Sequence, residues 1–170
     1  SSEAAARARC SSPRGLPSDR DRVTIRPEGP ADAEAIRAVN LAAFETRTEA
    51  DLVDLLRTQA SPVISLVAED GAAICGHIMF SPVTLAERGD VRIAGLAPMA
   101  VLPSQQRRGT GTALVLAGLE ACARVDYGAV VVLGHAAYYP RFGFHPASRF
   151  GLRSEYDVPD EVFMALELRS

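Results

Sequence analysis

Met99-Ala100-Val101-Leu102-Pro103-Ser104-Gln105-Gln106-Arg107-Arg108-Gly109-Thr110-Gly111-Thr112 runs from an apolar strand, through a short polar loop, into a glycine-containing helix start. Backbone N–H groups at a helix start have no intrahelical partner, and the helix dipole adds partial positive charge there. Together they make a site for an anion. Gly109 and Gly111 let the backbone approach phosphate oxygens with no Cβ in the way. Arg107 and Arg108 add fixed positive charge suited to a pyrophosphate. A tight strand-to-helix turn without a ligand accounts for two glycines equally well. The stretch is not a Walker loop, since no Gly-Lys-Ser/Thr follows. Nor is it the dinucleotide fingerprint, which needs three spaced glycines directly after the first strand.

The flanks extend the pattern. Val91 to Leu102 reads as a long strand, and Pro98 within it cannot donate to a ladder, so a bulge or a side without pairing is expected there. Gly109 to Arg124 is apolar nearly all round and predicts a helix buried against a sheet. Ala129 to Leu133 is a continuous Val-rich run, expected as a central strand covered on both faces. Upstream, Val23 to Arg26 alternates. Pro30-Ala31-Asp32 opens a helix with Ile36, Val39, Ala43 and Phe44 at helical spacing. A second helix follows Thr48, an N-cap residue type, with Leu52, Val53, Leu55 and Leu56 as its buried side. Val63 to Ala68 and Ile74 to Leu85 form a hairpin about Glu69-Asp70-Gly71, and Arg88-Gly89-Asp90 turns into the next strand. Beyond Phe142 two short strands are expected around Val158-Pro159-Asp160. The order β-α-α-β-β-β-α-β-(α)-β-β predicts an α/β fold with a mixed sheet and no internal repeat.

Composition limits the function classes. The chain has 170 residues, 48% hydrophobic and 23% charged, with net charge −3. That balance fits one globular domain and gives no general affinity for nucleic acid or membrane. No apolar stretch is long enough to span a bilayer. Cys10, Cys75 and Cys122 form no disulfide framework, and they and the scattered His77, His135 and His145 match no metal-site spacing. No metal is expected, and the setting expected is cytoplasmic. Residues 1–21, rich in Ser, Arg, Pro and Ala, read as a flexible N-terminal extension ahead of a domain over 22–170.

Gln106-Arg107-Arg108-Gly109-Thr110-Gly111 resembles the Gln/Arg-x-x-Gly-x-Gly/Ala pattern of the GNAT superfamily of N-acetyltransferases. Tyr139-Pro140-Arg141-Phe142-Gly143-Phe144 resembles its Tyr-x-x-x-Gly-Phe. The stretches His77-Ile78-Met79-Phe80-Ser81-Pro82-Val83 and Pro159-Asp160-Glu161-Val162-Phe163-Met164-Ala165-Leu166 are similar to a subgroup of small bacterial members, and the resemblance covers residues 23–168. It implies the GNAT fold, a mixed central sheet that splays open between the fourth and fifth strands, flanked by helices. It implies acetyl-CoA as cosubstrate, its pantetheine arm paired with backbone groups of Met99 and Val101 and its pyrophosphate on the amides of Arg107, Arg108, Gly109, Thr110, Gly111 and Thr112, with Ala100 and Gln106 also among the cofactor-binding residues. The acceptor would be a small-molecule or protein amine, and a homodimer is left open. Tyr139 takes the position of the general acid, with a core tyrosine held by a structural hydrogen bond as the alternative and Tyr138 as its neighbour in register. The family's Asn-led helix before that tyrosine is shortened here to Gly134-His135-Ala136-Ala137-Tyr138. Glu45, Glu49 and His77 are base candidates by location, and His135 is a further polar candidate. The stretches Asn40 to Glu49 and Arg149 to Asp157 would shape the acceptor site. The rival reading is a non-catalytic acyl-CoA-binding sensor or regulatory module.

Overall fold

β-branched and alternating segments become strands and 3.6-periodic ones become helices, in the order the patterning predicts. The structure, a computed structural model, describes residues 23–85 and 89–168. The extension over 1–21, Cys10 and Arg88 lie outside the described residues. In chain order the elements are β1 Thr24–Pro27, α1 Ala33–Ala43, α2 Thr48–Gln59, β2 Ile64–Asp70, β3 Ala73–Val83, β4 Ile93–Val101, α3 Thr110–Arg124, β5 Ala129–Leu133, β6 His145–Pro146 and β7 Phe163–Glu167. They build one seven-stranded sheet in the order β1-β2-β3-β4-β5-β7-β6. β4 and β5 run parallel, and the other neighbours are antiparallel. No helix among the described residues is long and apolar enough to cross a membrane.

The strand period of two sorts side chains onto two faces. On one face Ile78, Phe80, Ala94 and Val130 pack against Leu114, Val115 and Cys122 of α3. On the other, Val67 and Met79 pack against Ile36 of α1 and Val53 of α2. Further along that second face, Ile93, Val131 and Ala165 form a separate cluster with Ala147 and Leu152. α3 lies very close to the sheet. A Cβ on its Gly118 would sit 2.2 Å from the Phe80 ring, so only a residue without a side chain fits there.

Several local expectations need correction. Thr48 is the first residue of α2 rather than its cap; its N–H is accepted by Thr46 Oγ1 at 3.4 Å. Leu55 is 48% exposed, so α2 buries Ala50 and Val53 instead of a four-residue apolar side. Leu116 is 55% exposed, so α3 is not covered all round. Phe44 falls just past α1, in extended conformation. Glu69 and Asp70 extend β2 rather than turning. The last third is less regular than expected. β6 is only two residues long, and Ala147–Phe150 and Asp160–Val162 are 3-10 turns. Pro146 has no N–H with which to prolong a ladder.

Candidate active site

The sheet opens where Pro98 interrupts it. β4 and β5 share only the pairs Ile93–Ala129, Ala94–Val130 and Gly95–Val131. Beyond them β4 stays with β3, and β5 continues along β7 through Val132–Met164 and Leu133–Phe163. Ile78 pairs with Met99 but Phe80 with Leu96, so Ala97 and Pro98 both stand against Met79 as a bulge. A bulge bends its strand, and here β4 turns away from β5. The gap holds a cavity of about 750 Å³ lined by Leu96, Pro98, Met99, Leu133, Tyr138 and Tyr139 among others. Of the three strand residues singled out from the sequence, Met99 lines this cavity, while Ala100 and Val101 are buried. Leu96, Ala97 and Leu133 were not anticipated as lining residues. Pro98 was the signal that could have found the first two.

The loop before α3 is tightly wound. Arg107 and Gly109 are both left-handed, with φ 63° and 83°, a conformation glycine adopts without steric penalty. The first helical bond runs from the Ala113 N–H to the Gly109 carbonyl at 3.0 Å. The N–H groups of Thr110, Gly111 and Thr112 precede it and belong to the unsatisfied first turn. Thr110 Oγ1 is buried with no hydrogen-bond partner, an arrangement that calls for one from outside the protein. Arg107 and Arg108 are exposed. Gln106 acts differently from the rest of the loop. Its Nε2 donates to the Val101 carbonyl at 3.0 Å, which ties the loop to the end of β4.

Both tyrosines reach the gap, with different surroundings. The turn over 136–138 leads into a 3-10 segment, Tyr139–Phe142, in place of a full helix. Tyr139 is buried, its ring crossing Gly134 so closely that a Cβ there would lie 2.3 Å away. It meets Phe144 edge-on at 5.7 Å and Tyr138 at 5.1 Å. Burial pushes its hydroxyl up to about 12, helped by the neighbouring Tyr138, so at neutral pH it is a protonated donor facing a cavity. The Tyr138 hydroxyl instead lies against α3, 3.1 Å from where a Gly111 Cβ would be. Arg141 stacks over the Tyr138 ring at 4.4 Å.

The base candidates separate cleanly. Glu49, in the first turn of α2, lines the cavity, as does the exposed His135. Glu45 does not. His77 is fully buried on the α1 side and does not line it either. Asn40 Nδ2 faces His77 Nδ1 at 3.2 Å, so Nε2 carries the proton and donates to Ser65 Oγ at 2.8 Å. Ser65 in turn donates to Glu28, which pairs with Arg57. Burial, and secondarily the Arg57 charge, lower His77 to about 3. It is a neutral strut joining α1, β2 and β3. Cys75 and Cys122 are buried with thiols raised by desolvation, hence unreactive packing groups. Among the described residues no group of three or more acidic, His or Cys side chains could hold a metal ion.

A second cavity, of about 400 Å³, opens on the face opposite α3. It shares Leu96, Ala97, Val132 and Leu133 with the first, so the two adjoin where β4 and β5 separate. Arg153 to Tyr156 line its outer side, while Phe44, Thr48 and Glu49 reach the first cavity. Both stretches expected to surround an acceptor therefore border the opening.

Known proteins share this architecture. A family model described as the acetyltransferase (GNAT) domain matches residues 62–146. The uncharacterized N-acetyltransferase YjhQ of Escherichia coli (strain K12) is 41% identical over 135 residues, 77% of this chain and 75% of that protein. The crystal structure of the GNAT family N-acetyltransferase YhbS from Escherichia coli in complex with CoA has a TM-score of 0.80 at 36% identity, covering 86% of this chain and 81% of that one. A GNAT family acetyltransferase from Brucella melitensis, in complex with acetyl-CoA, gives 0.72 at 34% identity, covering 88% and 90%.

Proposed function

This chain belongs to the GNAT family of N-acetyltransferases, and from that premise we propose that it transfers the acetyl group of acetyl-CoA to a primary amine, on a small molecule or a protein, through the gap between β4 and β5. The observation that carries the reading is the continuity of that gap: it borders Met99 and Tyr138, whose hydroxyl abuts Gly111 at the α3 start, and reaches the buried Tyr139. The orphaned Thr110 Oγ1 and the free first-turn N–H groups fit a pyrophosphate, with Arg107 and Arg108 supplying charge. Gln106 serves as a brace for the loop. The β4 edge from Leu96 to Met99, without a sheet partner toward β5, fits the amide-bearing pantetheine arm. Among the described residues the free thiols, Cys75 and Cys122, suit the reducing conditions of a cytoplasmic setting.

Acetyl-CoA supplies an acyl group already activated as a thioester. The protein positions it and manages protons. Glu49, the carboxylate at the cavity, takes one proton from the incoming ammonium, and the freed amine attacks the thioester carbonyl carbon. A backbone N–H of β4 near Met99 stabilises charge developing on the carbonyl oxygen. Tyr139, protonated at neutral pH, gives its proton to the sulfur as the C–S bond breaks, and the nitrogen's second proton, shed as it becomes the amide, restores the tyrosine. Acetyl-CoA at a hundredfold excess over its Kd should stabilise the fold by about 2.7 kcal/mol in a melting experiment. Amine-dependent release of the CoA thiol should accompany it. Stabilisation by ATP or NAD but not by CoA would overturn the assignment of the loop. Tight CoA binding without turnover across an amine panel would favour a sensor.

A further inference from the structure

We propose that the 400 Å³ cavity opposite α3 is the acceptor site and that it selects a primary amine borne on an uncharged, apolar body, such as an arylalkyl or branched-alkyl amine, over polyamines and amino sugars. The inference rests on the acetyl-transfer reading above and names the substrate class for it.

Four observations carry it. The walls are aliphatic and aromatic: Val83, Leu85, Val131, Leu133 and Phe163 outnumber the hydroxyl groups of Thr84 and Ser154. At the inner end Val83 leans across Gly95, where a Cβ would fall 2.8 Å from Val83 Cγ1, so aliphatic surface replaces polar backbone there. Two large hydrophobics on the rim are left open to water, Leu133 at 47% and Tyr156 at 68% exposure, and a bound apolar group would cover them. The lining carries one charge of each sign, Arg153 and Glu155, both exposed, so the cavity's own walls hold no carboxylate pair to receive a polycation.

The geometry adds direction. Leu96, Ala97, Val132 and Leu133 belong to both cavities. An amine whose body fills the outer cavity can therefore extend its nitrogen past these shared residues toward Glu49 and the thioester. A sugar would bring many hydroxyls against walls with few acceptors, and a buried donor left without a partner is penalised. A polyamine would bring second and third charges to the same walls.

The test reads binding apart from turnover. 2-Phenylethylamine is titrated calorimetrically into the CoA-saturated full chain, with spermidine and glucosamine as comparators. We expect 2-phenylethylamine to bind at least tenfold more tightly than either. Val83→Asp places a carboxylate on the wall and should weaken 2-phenylethylamine at least tenfold while narrowing or reversing the gap to spermidine, with CoA affinity unchanged. Tyr156→Ser, at an exposed position that does not threaten folding, should weaken 2-phenylethylamine several-fold and spermidine little. Tighter binding of spermidine or glucosamine to the wild type would overturn the proposal, as would affinities unmoved by both substitutions. Binding of 2-phenylethylamine as expected, with no CoA thiol released from acetyl-CoA, would count against acetyl transfer and leave the ligand class standing.

Discussion

At the scale of single residues, burial decides which polar group can act. Tyr139 and His77 are both buried, but only Tyr139 faces the gap. Tyr139→Phe removes a hydroxyl and little volume. Steady-state kinetics should show kcat down by roughly 10²-fold with CoA affinity near wild type, because proton delivery matters only as the C–S bond breaks. Tyr138→Phe should do the reverse, weakening CoA and sparing kcat, since its hydroxyl lies at Gly111; equal kcat in Tyr139→Phe and wild type would return Tyr139 to a packing role. With the folded Tyr139 near 12, its donor function should persist past pH 10, where an ordinary tyrosine ionises. His77 makes its mark on stability. Its folded value, about 3, lies below the usual 6.5. As pH falls through 6.5 the unfolded chain takes up the proton first, so stability present above 6.5 is lost progressively down to about 3. The loss is roughly 5 kcal/mol at most. Denaturant titrations of His77→Gln should show a shallower acid limb, while the part due to Asp32, held near 2 by Arg26 and the Gly29 N–H, remains. The position of Tyr139 at the gap was legible from its motif. The sorting of Glu49 from Glu45 and His77 was not, because a residue's facing depends on how α1 and α2 lie on the sheet.

At the scale of elements, the start of α3 is where the proposed reading seats the cofactor's phosphates. A Cβ at Gly111 would meet the Tyr138 hydroxyl at 3.1 Å, and valine adds two methyl groups beyond it. Calorimetry on Gly111→Val should find CoA binding weakened at least tenfold, with circular dichroism showing the fold retained; unchanged affinity would place the phosphates elsewhere. The start of α3 and the extent of β5 were readable because Gly109 immediately precedes the first and an unbroken Val run defines the second. β6 was hard to bound because two residues carry no periodicity. The buried side of α2 was misread because the salt bridges of Arg37 with Asp51 and Asp54 join α1 and α2 across their polar side. Leucine spacing alone does not reveal that constraint.

At the scale of the whole molecule, element order was legible from hydrophobic period, and the splayed sheet from Pro98 together with the family resemblance. The second cavity was not, since it arises where the chain over 153–156 returns to a face built from β3, β4 and β5. The split has a further consequence, for solubility. Whenever the gap is empty, β4 presents backbone groups with no neighbour, the kind of open edge that invites another chain to add a strand. Pro98 sits in the middle of that edge, without an N–H and inside a bulge, two devices that discourage such pairing. Light scattering should therefore show Pro98→Ala aggregating faster than wild type on warming without ligand, and CoA should suppress the difference by filling the gap. Equal aggregation in the two would mean the edge is shielded by other means. The residue that opens the enzyme to its cosubstrate would, on this account, also keep the resting enzyme from polymerising through its own slot.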